Sequence, residues 1–370
     1  MAAENHSPLE KFVARASQLY TLPKVAMEVV ELTNSPQVDA ARLKDCIQRD
    51  PALVSKILRT VNSSIFGGVR NVTDLNQAIA LLGTKPLKLL VLGFSLPPKL
   101  LTGIEAGALS QYWKRTLVKA IAARELAARY ENVDPDDAFL AGLLQDIGML
   151  ALLKELGEPY AQFLKQAQSE HADLVLLELE TLGFDHRLLS ARMMQSWGLP
   201  ESLWRTIAAS TSIDALPRSG SAMGEAVSVL ASAHAVALLI AQQQPAALAT
   251  VMQREDENDV AWWTNFAAEV QEQVQQLSDI FNVAPAQLES FDQVVREAHA
   301  QLSLAAEDAA LAYAKVHSAP SSDETCSLED AVRSIGNAAM EILTDGTVAG
   351  RSDAAEAPTQ AAAATALAKE

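Results

Sequence analysis

The residues best placed to do chemistry are Gln145 and Asp146, which lie side by side in an apolar run. Residues 138–153 (AFLAGLLQDIGMLALL) are otherwise apolar, which predicts a central helix that is buried on every side. A carboxylate that is buried without a partner destabilises a fold by several kcal/mol. We therefore expect Asp146 to contact a hydrogen-bond donor, a cation or a water, in a structural or a functional role.

Other common kinds of site lack the residues that they need. The sequence contains no nucleophile paired with a base, no phosphate-binding glycine loop and no CxxC motif. Cys46 and Cys326 are far apart, which indicates neither a disulfide framework nor a zinc site and fits a reducing cytoplasm. The first residues, MAAENH, do not resemble a signal peptide. We therefore predict a cytoplasmic protein without a cofactor.

Composition and charge narrow the fold class and the partners. With 370 residues, 49% hydrophobic but only 5% aromatic, the chain is typical of an Ala/Leu-rich, all-α protein of one large or two smaller domains. Residues 201–370 contain 8 Lys and Arg against 24 Asp and Glu, whereas residues 1–100 contain 12 against 8. The net charge of −17 argues against nucleic-acid binding. The apolar stretch 226–241 is interrupted by two serines and a histidine and is short for a membrane span, so we predict a buried helix and no membrane contact.

Helix-start and helix-stop residues divide the chain into short helices. Asp50 followed by Pro51 is a strong N-cap signal, Asp39 and Asp74 are further candidate caps, and Gly83 is a candidate helix end. Further helices are predicted for residues 22–32, 84–94, 110–130, 174–182, 186–197, 201–209 and 225–241.

Ordered motifs in both halves of this region resemble one family. In the first half they are Leu22-Pro23, Asp50-Pro51-Ala-Leu, Leu58-Arg59, Asn62-Ser63, Phe66-Gly67, Ala78-Ile79 and Leu82-Gly83. In the second half they are Leu-Leu-x-Asp146-Ile-Gly148-x-Leu, Glu180-x-x-Gly183-x-Asp185-His186 and Trp197-Gly-Leu-Pro200. The pattern resembles the HDOD domain, a bacterial signalling module related to the HD metal-dependent phosphohydrolases but lacking their metal ligands. The resemblance implies an all-α bundle in two helical subdomains, with extra C-terminal helices.

The resemblance also sets the predicted domain boundaries. We expect an N-terminal tail at residues 1–14 and an HDOD domain at 15–245, divided into an N-terminal helical half at 15–100 and a degenerate HD-like half at 108–245. Residues 246–317 form a C-terminal helical extension whose apolar faces either pack back on the core or make a homodimer contact. Residues 318–370 contain a linker, a short helix at 328–343 and a disordered Ala-rich tail.

Comparison with the HD hydrolases implies that the metal site is vestigial. Its ligand positions are occupied by Arg115, Gln145, Asp146, His186, Ser210, Thr211 and His234, with the last assigned in a looser register. Asp146 and His186 are the two good metal ligands that remain at these positions, and two ligands do not make a catalytic site. We therefore predict no catalytic residue and no bound metal. Arg115 could replace the metal charge through a hydrogen bond to Asp146.

The remaining candidate residues are expected to be structural. We interpret His186 as a helix-start histidine with its hydrogen bonds satisfied and His234 as a satisfied core residue. We expect Asn62 and Ser63 to hold the backbone at a helix end, and a ligand contact is the less favoured alternative. Structural roles are predicted for the family-signature residues Leu22, Pro23, Asp50, Pro51, Asn62, Ser63, Gly83, Asp146, Gly148, His186, Trp197 and Pro200.

Three functions remain open at this point. The leading hypothesis is a non-catalytic scaffold that binds other signalling proteins, and the resemblance implies a two-component or cyclic-dinucleotide pathway. The second is a sensor that binds a nucleotide or cyclic dinucleotide in the vestigial pocket. The third is a residual metal-dependent phosphohydrolase.

Overall fold

The computed structural model describes residues 8–33, 39–63, 72–210, 221–281 and 290–317. Within these ranges the regular secondary structure is entirely helical, which confirms the all-α prediction. The chain divides into two compact units, residues 1–302 and 303–370, and the second is described only for the helical residues 303–317. The predicted features at Phe66-Gly67, Thr211 and 318–370 lie outside the described residues.

The N-terminal half consists of short helices. They are α1 (Pro8–Leu19), α2 (Lys24–Thr33), α3 (Ala40–Ile47), α4 (Pro51–Val61), α5 (Leu75–Leu82), α6 (Thr84–Phe94) and α7 (Pro98–Leu101). The side chains of Asp39, Asp50 and Asp74 accept hydrogen bonds from backbone N–H groups in the first turns of α3, α4 and α5, as predicted. The predicted N-terminal tail, residues 1–14, is helical from Pro8, and α1 packs against a helix of the HD-like half.

The HD-like half is built around a pair of long, buried helices. Its elements are α8 (Ala106–Ala127), α9 (Pro135–Leu144), α10 (Ile147–Leu156), α11 (Glu158–Ser169), α12 (Leu174–Leu182), α13 (His186–Ser196), α14 (Glu201–Ala209) and α15 (Ala222–Gln242). Helix α8 packs against both α9 and α15, and α13 packs against α10 and α14. This packing brings the starts of α10 and α13 next to the middle of α8.

The prediction of one continuous central helix is wrong in one respect. Residues 138–153 are all buried, as expected, but α9 ends at Leu144 and α10 begins at Ile147, with Gln145 and Asp146 in the turn between them. The apolar pattern could not reveal this break, because a segment that is buried on every side has no polar face whose phase would shift.

Helix α15 is the part of the described chain that is long and apolar enough to cross a membrane, and 67% of its most apolar window is buried within the protein. Most of that burial is against α8 and the following helix, α16 (Ala246–Glu255). The observation agrees with the predicted buried helix.

One of the C-terminal helices packs back on the core. Helix α17 (Val260–Phe281) packs on α8 and α4, and α18 (Phe291–His317) begins with the buried residue Phe291. The ring of Phe281 lies 4.8 Å from that of Trp113 on α8 and 5.5 Å from that of Phe94 on α6. The apolar face of α17 therefore packs back on the core.

Candidate functional site

The centre of the HD-like half is an ion-pair cluster around Asp146. Nζ of Lys119, on α8, donates to both carboxylate oxygens of Asp146, at 2.8 and 2.7 Å. Nη2 of Arg115, one turn earlier on the same helix, lies 3.2 Å from Oδ2 of Asp146. The Lys119 and Asp146 side chains are 0% and 1% exposed. The predicted partner Arg115 is present, but Lys119 makes the closer and more extensive contact.

His186 connects this carboxylate to a second one. Its Nδ1 lies 2.6 Å from Oε2 of Glu178 on α12, and its Nε2 lies 3.4 Å from Oδ1 of Asp146. The backbone N–H of His186 also donates to Glu178, whose other oxygen accepts a hydrogen bond from the hydroxyl of Tyr160. As predicted, His186 is the first residue of its helix and its ring is hydrogen-bonded.

Gln145 and Ser210 form a neutral contact on another side of the cluster. Nε2 of Gln145 donates to Oγ of Ser210 at 2.7 Å, and that hydroxyl donates in turn to the carbonyl of Ile207. Nη1 of Arg187 donates to the backbone carbonyl of Ser210 at 3.1 Å. Gln145 and Ser210, at two of the positions predicted to be vestigial, are thus joined by one hydrogen bond.

Gly148 allows α10 and α13 to approach closely enough to form the cluster. A Cβ at Gly148 would lie 2.1 Å from the carbonyl oxygen of His186 and 2.9 Å from the backbone nitrogen of Ser190. The N–H of Gly148 donates to Oγ of Ser190, and that hydroxyl donates to the carbonyl of His186. The signature glycine is therefore required for close approach of two backbones, which holds Asp146 beside His186.

The electrostatics of the cluster follow from these contacts. Burial alone would raise the pKa of Asp146, but Lys119, Arg115 and His186 hold it well below its ordinary value. Burial alone would lower the pKa of His186, but Glu178 and Asp146 raise it above 6.5. These contacts therefore stabilise the ionised form of Asp146 and the protonated form of His186.

The cations also influence each other. Burial lowers the pKa of Lys119, and the charges of Arg187 and Arg115 lower it further, against the attraction of Asp146. Burial, with Arg187 and Lys119, also holds the pKa of His234 well below its ordinary value. The neutral imidazole is therefore the favoured form of His234. Among the residues that the structure describes, its Nδ1 is buried and has no hydrogen-bond partner.

The residues present do not fit the metal of the HD hydrolases. A metal bound by Asp146 would lie beside Lys119 and Arg115, whose positive charges repel it. Nδ1 of His186 is hydrogen-bonded to Glu178, and Gln145 supplies only a neutral amide. No group of three or more candidate ligand residues (His, Cys, Asp, Glu) is arranged to hold a metal within the ranges that the structure describes.

Sequence reasoning missed three members of the cluster, Lys119, Glu178 and Arg187. Lys119 lies four residues after Arg115, a spacing that places both on one face of a helix, and this signal could have identified it. Glu178 lies on α12, and the turn that joins α12 to α13 brings it to His186. Arg187 follows His186 on α13, and its contact with the carbonyl of Ser210 depends on the packing of α13 and α14.

Several family-signature residues make the structural contacts that were predicted for them. Nδ2 of Asn62 donates to the carbonyls of Leu58 and Val72, and its Oδ1 accepts from the N–H of Val72, which ties the end of α4 to the chain before α5. Ser63 donates to the carbonyl of Thr60.

The other signature residues mark helix ends or link the two halves. Pro51 is the first residue of α4, Gly83 has a φ of 81° at the end of α5, and Pro200 precedes α14. The indole N–H of Trp197 donates to the carbonyl of Tyr20, a bond between the C-terminal and N-terminal halves. Leu22 is buried, and the carbonyl of Pro23 accepts from the backbone of α2.

Known proteins share both the sequence pattern and the fold. A 204-residue stretch is 26% identical to an uncharacterized protein of Treponema pallidum (strain Nichols) and covers 52% of this chain but 37% of that protein. A structure of a proposed phosphohydrolase from Shewanella amazonensis SB2B shares 22% identity and a TM-score of 0.50, covering 78% of this chain and 97% of that one. A structure of an HDOD domain protein with unknown function from Geobacter sulfurreducens shares 18% identity and a TM-score of 0.55. The match covers 74% of this chain and 97% of that one.

At these identities the two solved structures establish the fold and not an activity. The HDOD domain model matches residues 19–213, which is more than half of the chain. The matched region contains the N-terminal motifs and the Asp146 cluster. The chain therefore belongs to the HDOD domain family.

Proposed function

We propose that this protein is a non-catalytic regulatory scaffold, which acts by binding other proteins in a bacterial signalling pathway. The single observation that carries the proposal is the contact of Lys119 with both oxygens of Asp146. In a hydrolase of the HD type this carboxylate would be a metal ligand, whereas here its lone pairs are directed to an ammonium group. Membership of the HDOD family supports a signalling role.

The chemistry of the cluster supports the loss of hydrolysis. A catalytic metal lowers the pKa of a bound water and so generates a nucleophile at neutral pH. An ammonium or guanidinium group can only donate hydrogen bonds and has no open coordination position for a water. Lys119 and Arg115 can therefore stabilise Asp146 without supplying the activated water that phosphoester hydrolysis requires.

The setting of the scaffold is a two-component or cyclic-dinucleotide pathway. The name of the Shewanella relative suggests phosphohydrolase activity for that protein, and a residual hydrolase is the competing function for this one. The two functions differ in what they require at Asp146, since only the hydrolase needs a metal there.

The deciding experiment measures metal content and turnover of the full chain. Protein loaded with Mn²⁺, Fe²⁺ or Zn²⁺ and then desalted should hold clearly less than one metal per chain and should hydrolyse neither cyclic dinucleotides nor phosphomonoesters above the blank. Gln145→His should leave both results unchanged, because one added ligand cannot rebuild the site. One metal per chain, with turnover that Asp146→Ala abolishes, would establish the hydrolase instead.

A second experiment addresses the scaffold role itself. The tagged full chain, captured from the cells that naturally produce it, should retain a signalling protein in near-stoichiometric amount, and the purified pair should re-form a complex in solution. Failure of every retained protein to bind the purified chain would contradict the scaffold proposal.

A further inference from the structure

Helix α12 exposes two leucines on one face. Leu176 and Leu179 are 57% and 40% exposed, whereas Val175 and Glu178 on the other face are buried. Residues three apart are neighbours on a helix surface, so the two leucines form one patch. Of the large apolar side chains that are exposed in the described ranges, these are the two that lie within one turn of the same helix. Single exposed leucines are ordinary, but a contiguous apolar pair with a polar rim is typical of a protein-binding surface.

The polar rim of this patch is acidic. Glu170 ends α11, Asp173 is the N-cap of α12 and Glu180 lies within α12, and all three side chains are exposed. Residues 166–186 contain no Lys or Arg that would neutralise them. A complementary surface therefore combines apolar side chains with positive charge.

The buried face of the same helix reaches the Asp146 cluster. Oε2 of Glu178 lies 2.6 Å from Nδ1 of His186 and also accepts a hydrogen bond from the backbone N–H of that residue. A helix with its side chains is about 10–12 Å thick. A protein that covers the leucines would therefore lie about one helix diameter from the cluster.

We infer that Leu176 and Leu179 form a docking surface for a basic amphipathic helix of a partner protein. Such a helix carries apolar side chains on one stripe, which cover the two leucines, and Lys or Arg beside that stripe, which lie against the acidic rim. The described ranges contain no sheet edge that could bind an extended peptide, which favours a helix as the docking element. The inference rests on the proposed scaffold function and names the surface through which it acts.

The test uses a fluorescein-labelled synthetic helix of about 14 residues, with Leu on one face and Lys on the other, and the same peptide with Glu in place of Lys. Fluorescence anisotropy with the full chain should show saturable binding of the Lys peptide, at least about tenfold tighter than binding of the Glu peptide. Leu176→Gln/Leu179→Gln should weaken binding of the Lys peptide by about tenfold or more, because the apolar contact is lost. Glu180→Lys should weaken the Lys peptide and strengthen the Glu peptide.

The matched control is Leu304→Gln/Leu311→Gln, which should keep the binding of the Lys peptide. These two leucines of α18 are also exposed, but they lie two turns apart with Glu307 and Asp308 between them, so they form no continuous apolar patch. Because all four replaced leucines are exposed, both double variants should keep the melting temperature of the unmodified protein.

Each outcome decides the inference. No saturable binding, equal binding of the two peptides, or binding that Leu176→Gln/Leu179→Gln retains would overturn it. A free chain that sediments as a dimer, and as a monomer in that variant, would also overturn it, since a second copy would then be the occupant. If the variant does not fold, the methyl resonances of Leu176 and Leu179 in the unmodified protein should move saturably with the Lys peptide, and unmoved resonances would overturn the inference.

The docking surface can fail while the scaffold function stands. A signalling protein that the chain captures from cells should bind the purified Leu176→Gln/Leu179→Gln variant about tenfold or more weakly than the unmodified chain. A captured protein that binds both equally would overturn the inference, and the scaffold would then act through another surface.

Discussion

Removing the charge of Asp146 should destabilise the fold strongly. Asp146→Asn keeps the shape of the side chain but leaves the Lys119 ammonium, which is 0% exposed and makes two hydrogen bonds to the carboxylate, without a counter-ion. Leaving a buried charge unpaired costs about 3–5 kcal/mol in the free energy of unfolding. The same substitution also weakens the contact with Arg115, but that side chain is 11% exposed and can be partly hydrated.

A double-mutant cycle separates the contribution of the pair from the cost of each change. Lys119→Met keeps most of the aliphatic chain and removes the ammonium, and the double variant Lys119→Met/Asp146→Asn leaves neither charge unpaired. The double variant should therefore lose less stability than the sum of the single variants, with a coupling of about 2–3 kcal/mol. The cycle of Asp146→Asn with Arg115→Met should give a smaller coupling, because Arg115 is farther away and partly hydrated.

The free energies come from urea unfolding of each full-length variant, followed by circular dichroism and analysed at constant m-value. Lys119→Met combined with Asp39→Asn is the control pair, because Asp39 is an exposed helix cap on α3, in the N-terminal half. That pair should be additive within about 0.5 kcal/mol. Additivity of Lys119→Met with Asp146→Asn would refute the ion pair as the organising contact of the site.

Three further predictions test other contacts. Gly148→Ala should lower the free energy of unfolding by at least about 1–3 kcal/mol in the same urea assay, because the added Cβ would meet backbone atoms. Gly107→Ala is the control and should change this free energy little, because its Cβ would meet only the flexible carboxylate of Glu105. His186 has a folded-state pKa raised above 6.5, so its stabilising contribution is complete below pH 6.5 and is lost as pH rises through the raised value. Unfolding free energies at several pH values should show this loss in the unmodified protein but not in His186→Gln, and the imidazole NMR titration should give the raised pKa directly. Burial and the hydrogen bond to Glu28 raise the pKa of Cys46 to about 11. In a variant that lacks Cys326, Cys46 should therefore react with Ellman's reagent at pH 8 only when the protein unfolds. Rapid labelling of the native protein would contradict the burial of Cys46.

The features that could be predicted from the sequence are those that depend on residues close together in the chain. Asp50 and Pro51 identify the start of α4 because capping is decided within one turn of the helix. Asn62 was correctly expected to hold a helix end, and its bonds to Leu58 and Val72 span only a few residues. Local hydrogen-bonding rules are sufficient for such features.

The arrangement of the cluster depends on contacts that local rules do not describe. Glu178 approaches His186 because α12 and α13 are joined by a tight turn, in which Gly183 has a φ of 79°. Lys119 and Asp146 are brought together from α8 and the α9–α10 turn by the packing of α8 on α9. The spacing of Lys119 from Arg115 places both on one face of α8, but a lysine is ordinarily expected at the surface, so the sequence did not indicate that Lys119 is buried.

Under the proposed scaffold function, ammonium and guanidinium groups take the place of a metal beside Asp146, and the fold does not need a metal for its stability. Asp146 is 1% exposed and must be paired with positive charge in either case, because an isolated buried carboxylate is strongly destabilising. Lys119 and Arg115 provide that charge from α8, one turn apart, so the pairing needs no ion from solution. A metal can be released by a chelator, whereas these side chains are covalently part of the chain. Stability of this protein should therefore be independent of chelators, and a fall in melting temperature on extended dialysis against EDTA would show that a cation other than Lys119 holds Asp146.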